Sequence, residues 1–142
     1  GIDGWGGLQA EFIIMERDQF RPFFRTAVWN PMYCDALPRG LGLIVFDTAV
    51  TEGVYRASRW LQRLVGARQD GAIDPETLIA VQAEIKTQAG LVALMDRYIG
   101  HRLAFYRDLA AERLSDDLFL NDRLRRTRDA AVYAQALLKA AA

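Results

Sequence analysis

The chain has 142 residues, about half of them apolar, which is enough for a real core and too much for a disordered segment. Lys plus Arg number 18 and Asp plus Glu number 18, a balance that argues against a nucleic-acid partner recognised through basic excess. One cysteine, Cys34, and one histidine, His101, exclude an internal disulfide and a cysteine or histidine metal cluster, and no residue pattern asks for a cofactor.

Residues 1–14 hold four glycines without a clear period and read as an irregular lead-in. A first helix is predicted from about Asp18 to Val28, with Asp18 as cap and Pro22 in its first turn. Trp29-Asn30-Pro31 should stop it, because a residue before proline avoids the helical region. Residues 32–40 form a connection with Pro38 and Gly40 as breakers. The run LGLIVFDTAV, 41–50, has strand-like composition, but its spacing of apolar and small residues at 41, 44, 45, 48 and 49 fits a buried helix. A break follows at Thr51-Glu52-Gly53. The next helix spans 54–65, with Tyr55, Ala57, Trp60, Leu61 and Leu64 as its apolar stripe and Arg56, Arg59 and Arg63 off it; Gly66 ends it. After a turn at Gln69-Asp70-Gly71, Asp74 caps a helix that begins at Pro75 and runs to about Ile85. A long helix over about 88–114 is expected to be central to the core. Ser115 or Asp116 opens a last helix to about 140. The fold class is all-α. No run approaches the length of about 18 apolar residues needed to span a membrane, no signal peptide is visible, and the first residue is Gly1 rather than methionine.

Few residues stand out chemically. Gly6-Gly7 lacks the strand and helix that a phosphate-binding loop requires. Cys34 reads as a packed thiol and His101 as a core or boundary histidine. Asp47 interrupts a buried apolar run, so its carboxylate must be paired or hydrogen-bonded. Glu52 sits in the helix break, where it faces either a cleft or solvent. Trp29, Tyr55 and Trp60 supply aromatic faces that either stack on a sugar or pack in the core.

The order and spacing of several stretches resemble glycoside hydrolase family 108, phage-type endolysins with N-acetylmuramidase activity and a C-terminal peptidoglycan-binding domain. The matching residues are Trp29-x-Pro31, then Asp35-x-Leu37-Pro38-x-Gly40-Leu41, then Val45-Phe46-Asp47-x-Ala49-Val50 with Gly53. They continue through Arg56-Ala57-x-x-Trp60-Leu61-Gln62, Asp70-Gly71-x-Ile73, Pro75-x-Thr77-Leu78 and, more loosely, Arg102-Leu103-Ala104-Phe105. The resemblance implies a lysozyme-like helical domain whose helix break lies beside a glycan cleft. It implies domains at 1–44, from the hydrolase part, and 45–142, the peptidoglycan-binding part, packed as one unit. The family's catalytic glutamate, in an E-G-G-Y motif, and its D-P-G-G-x-T-x-x-G-I segment do not occur here. Thr51 stands where the family has asparagine, Asp74 where it has glycine, and Asn121-Asp122-Arg123 where it has G-W-x-x-R.

Two functional classes follow from the resemblance. In the first, the chain is a peptidoglycan-binding module without catalysis of its own, with glycan strands or structural proteins of a phage or phage-like particle as partners. In the second, it belongs to an active N-acetylmuramidase whose glutamate lies upstream of Gly1. The residues expected at the glycan are Trp29, Asp47, Thr51, Glu52 and Tyr55, with Glu52 the only fallback acid. No metal, nucleic acid or membrane enters either reading, and cellular location is left open.

Overall fold

The structure, a computed structural model, describes residues 24–112 and 117–141. The predicted lead-in, the Asp18 and Pro22 start of the first helix and the Ser115–Asp116 opening of the last one lie outside the described residues. Among the described residues a π-helical turn, Arg25–Trp29, precedes five α-helices: α1 Arg39–Glu52, α2 Val54–Val65, α3 Pro75–Glu84, α4 Gln88–Glu112 and α5 Asp117–Ala141. Among the described residues there is no strand, so the all-α expectation holds.

The chain does not simply stop at Pro31. Asn30 keeps helical dihedrals (φ −67°, ψ −48°) and its N–H bonds to the Arg25 carbonyl, five residues back. The Cys34 N–H reaches Trp29 in the same wide register. Proline has no N–H and its ring crowds the carbonyl four residues earlier, and the widened turn accommodates both. Irregular turns then lead to Pro38 and α1.

The central helix is α1, not the long helix at 88–112. Ten consecutive residues, Gly40 to Ala49, are buried, and α1 packs against α2, α4 and α5. A helix apolar all round belongs in the middle of a bundle. By contrast α4 buries one stripe, Leu94, Met95, Tyr98, Arg102, Tyr106 and Ala110. Its repeat of four residues keeps these on one face, and the Tyr98 hydroxyl donates to the Ala57 carbonyl of α2 at 2.8 Å.

The breaks fall where the sequence puts them. Gly53, at φ 97°, lies between α1 and α2, and Gly66, at φ 73°, ends α2 in the left-handed region that glycine tolerates. Asp74 caps α3 by accepting from the Thr77 N–H at 2.8 Å, with Pro75 in the first turn.

Close packing of α1 demands its glycines. A Cβ on Gly42 would stand 2.9 Å from the Cys34 carbonyl oxygen, a backbone atom of the turn just before α1. Alanine there should gain about 1 kcal/mol of helix propensity and lose about 1–3 kcal/mol to overpacking. We expect Gly42→Ala to lower the urea midpoint; an unchanged or raised midpoint would show that the turn yields freely.

Candidate functional site

Asp47 has no exposed surface. Its Oδ2 accepts from Arg102 Nη1 of α4 at 2.8 Å and its Oδ1 from Arg126 Nη2 of α5 at 3.0 Å. Arg102 is also fully buried. Its Nη1 donates to Thr48 Oγ1 at 3.0 Å and its Nε to the Tyr106 hydroxyl at 3.1 Å. The Tyr106 hydroxyl donates to Glu52 Oε2 at 3.1 Å. Glu52 in turn accepts from Arg56 of α2 at 3.3 Å, and Arg123 of α5 stands 3.9 Å away. Burial works against the charge on Arg102, but the Asp47 carboxylate and Tyr106 more than offset it and hold its pKa above the ordinary value. Burial likewise pushes the Tyr106 phenol up, which keeps its proton available for Glu52.

This network explains the carboxylate in the helix break. A negative charge at the C-terminal end of α1 faces the negative end of the helix dipole. Two guanidiniums and a phenol offset that, and they belong to the other helices meeting at the break. Asp47 is therefore the buried, arginine-paired carboxylate that its apolar run demands. Its side chain ties α1 to α4 and α5. Its carbonyl accepts from Thr51 Oγ1 at 2.8 Å.

The five residues expected at a glycan do not gather in one cleft. Trp29 is 3% exposed and meets Phe46 edge-on at 5.2 Å. With Asn30 and Tyr33–Ala36 it borders a cavity of about 230 Å³. Asp47 is in the core, Thr51 is turned back on its own helix, and Glu52 is held in the ion-pair network. Tyr55 lies elsewhere: it is 60% exposed and so outside the apolar stripe to which its sequence position pointed. Buried Ser58 and Gln62 take places on the inner face instead. Gln62 earns its burial through bonds to a loop, donating to Asp70 Oδ1 and the Ala72 carbonyl at 2.9 Å and accepting from the Gly71 N–H at 3.0 Å. The Gln62 and Ala72 bonds also lower the Asp70 pKa. Cys34 is buried, which pushes its thiol far up in pKa and leaves it unreactive.

Tyr55 belongs to a second cavity of about 280 Å³, on the outer side of α2 and α4. Arg56, Arg59, Trp60 and Arg63 of α2, Gln69 of the following loop and His101 of α4 complete its lining. Tyr55, Arg59 and Arg63 recur every four residues and so share one helix face. Trp60 forms the inner wall, packing edge-on against His101 at 4.9 Å and Phe105 at 5.1 Å. Partial burial, then the charge of Arg63, depresses the pKa of His101.

Comparison with known proteins adds the family. Residues 56–128 match the model of the predicted peptidoglycan domain, from the start of α2 into α5. The chain belongs to the predicted peptidoglycan domain family. Residues 2–53 match the glycosyl hydrolase 108 model, so both parts of the resemblance carried by the motifs are found. The two matches meet at Gly53–Tyr55, the break between α1 and α2. Among solved structures, one described as the structure of Brucella abortus SagA is similar at 27% identity and a TM-score of 0.63, over 84% of this chain. The chain spans 65% of the length of that structure. No curated protein matches. The outer cavity lies almost wholly within the peptidoglycan-domain match, and the buried ion pairs cross from one matched region to the other.

Sequence reasoning found Asp47 and Glu52 but not their partners. The available signal was an arginine and a tyrosine, Arg102 and Tyr106, in register with the buried Leu94, Tyr98 and Ala110. A cation on a core stripe announces a buried anion.

Removing one member of a buried pair leaves the other charge uncompensated. Asp47→Ala should cost about 3–5 kcal/mol, and the double variant Asp47→Ala/Arg102→Met less than the single change, read from urea denaturation; a double variant less stable than the single would contradict this. His101 supplies a pH effect of known sign. Its folded pKa lies below its unfolded value of 6.5, so the unfolded chain binds its proton more tightly. Stability is then complete above about pH 6.5 and falls as pH drops below it, until the folded value is passed. In His101→Gln, melting temperatures between pH 7 and 5 should fall less steeply than in the wild type.

Proposed function

We propose that this chain is a peptidoglycan-binding module on a muramidase-type helical scaffold, without general-acid chemistry of its own. The carrying observation is the state of Glu52, the carboxylate at the helix break. A glycosidase acid sits in apolar surroundings that favour its protonated form. Glu52 instead accepts from Tyr106 and Arg56 with Arg123 alongside, the surroundings of an ion pair. Asp47 is sealed from any ligand by its complete burial. Membership of the predicted peptidoglycan domain family supports the ligand, and the open cavity beside Tyr55 gives that ligand a place to bind. A shallow site ordering few atoms gives weak affinity, because association costs several kcal/mol before any net gain.

The hydrolase match over residues 2–53 favours a second reading, in which the scaffold serves an active N-acetylmuramidase. One pair of assays tests the proposal on this chain. The purified chain should co-sediment with insoluble peptidoglycan sacculi and leave the turbidity of a sacculus suspension unchanged, while Glu52→Gln lowers the melting temperature. Clearing of the suspension that a still-folded Glu52→Gln abolishes would make Glu52 catalytic and overturn the proposal. Failure to sediment with sacculi would remove the binding function.

A further inference from the structure

The outer face of α2 breaks a rule of helix design. Arg56, Arg59 and Arg63 lie three and four residues apart, a spacing at which like charges repel. Only Arg56 has a counter-ion, Glu52, and its guanidinium also covers the Phe105 ring at 4.7 Å. Among the described residues no carboxylate pairs with Arg59 or Arg63, although the chain as a whole carries as many acids as bases. Among the described residues no acidic side chain borders the cavity that these arginines enter. The core beneath is served by Ala57, Leu61 and Gln62, so packing gives no reason for the cluster. Like charges gathered on one face, two of them with no carboxylate partner among the described residues, point to an anionic ligand.

The neighbours of the arginines are arranged in advance. Tyr55 is 60% exposed, yet its ring is fixed from behind by Gly71, where a Cβ would collide with ring atoms. Gly71 adopts φ 78° and is held by Gln62. The Arg59 guanidinium lies 5.5 Å from the Tyr55 ring centre, over its face. Stacking of this kind orients a planar guanidinium so that its donor edge is free for a planar anion. Trp60 and the Tyr55 ring supply apolar walls against which a sugar or peptide body can rest.

We infer that the cavity between α2 and α4 is a carboxylate-recognition site, in which Arg59 and Arg63 take a free carboxylate and Tyr55 and Trp60 hold the uncharged body attached to it. The inference rests on the peptidoglycan reading for its natural ligand. Peptidoglycan offers such groups as the free carboxylates of its short peptides and as the lactyl carboxylate of peptide-free muramic acid. Guanidiniums favour both because two parallel N–H donors match the two carboxylate oxygens. Neutral glycan lacks the charged group and should bind far less well here.

The test uses the full chain and four probes: muramyl dipeptide, the same compound with its carboxylate converted to carboxamide, N-acetylmuramic acid, and a neutral chitin oligosaccharide. Binding is followed by calorimetry and by the NMR signal of the Trp60 indole N–H. Wild type should bind the free acids and shift that signal, with affinity falling as salt is raised. The carboxamide and the neutral oligosaccharide should bind about tenfold or more weakly, the scale of one lost charged hydrogen-bond pair. Arg59→Gln/Arg63→Gln should lose the same factor for the acids. A control pair at exposed positions, Arg107→Gln/Arg128→Gln, removes equal charge and should retain binding. These positions are exposed, so near-native melting temperatures check that the variants fold. Preference for N-acetylmuramic acid over the dipeptide would assign the lactyl group, and the reverse the peptide. Equal binding of acid and carboxamide, equal loss in both arginine pairs, or no Trp60 shift with any probe would overturn the site. The sacculus assay is independent: sedimentation of the Arg59→Gln/Arg63→Gln chain without a free-acid preference in the wild type would leave the module's function standing and remove only this inference.

Discussion

A carboxylate with no exposed surface, Asp47, meets two guanidiniums that arrive from different helices. Burying a charge costs several kcal/mol unless partners replace the water it loses. Here they do so from α4 and α5, and the requirement propagates. For Arg102 and Arg126 to reach Asp47, α1 must run through the middle of the bundle. For α1 to sit there, Gly40 and Gly42 must let neighbouring chain and side chains come close. For its C-terminal end to carry Glu52, the same two helices must add Tyr106 and Arg123, and α2 must turn away at Gly53 while sending back Arg56.

The network also bears on how the chain is divided. Asp47 and Glu52 lie in the part that matches the glycosyl hydrolase family, whereas Arg56, Arg102, Tyr106, Arg123 and Arg126 lie in the part that matches the peptidoglycan domain. The hydrophobic cluster is shared in the same way, from Val28 through Phe46 and Trp60 to Leu138. Among the described residues the core thus runs across the division at Gly53.

Two sets of arginines have opposite roles in this protein. Those inside, Arg102 and Arg126, are consumed by carboxylates and stabilise the fold. Those outside, Arg59 and Arg63, have no such partner among the described residues; both border the outer cavity, and Arg59 stands over the Tyr55 ring. The contrast is physical: a buried guanidinium without an anion would be prohibitive, while an exposed one costs little and stays available.

Local signals in the sequence determined the helices and their ends, because capping and chain-breaking act within a few residues. Asp74-Pro75, Gly66 and Glu52-Gly53 mark real boundaries, and the apolar run at 41–50 with an acid inside it was enough to require a buried, paired Asp47. The motifs also determined the family. Only the tertiary structure decided which helix is central, which arginines answer Asp47 and that Tyr55 faces outward. Each of these depends on residues some fifty or more positions apart being brought together, as Arg102 is to Asp47, or on which face of α2 the loop at 70–72 covers. Trp29, Thr51 and Glu52 looked like one cleft because they are neighbours in a pattern; packing turned Trp29 and Glu52 inward and left the open surface to Tyr55 and the arginines beside it. A periodic pattern states how apolar a face is, but the partners that cover it are chosen by the whole chain.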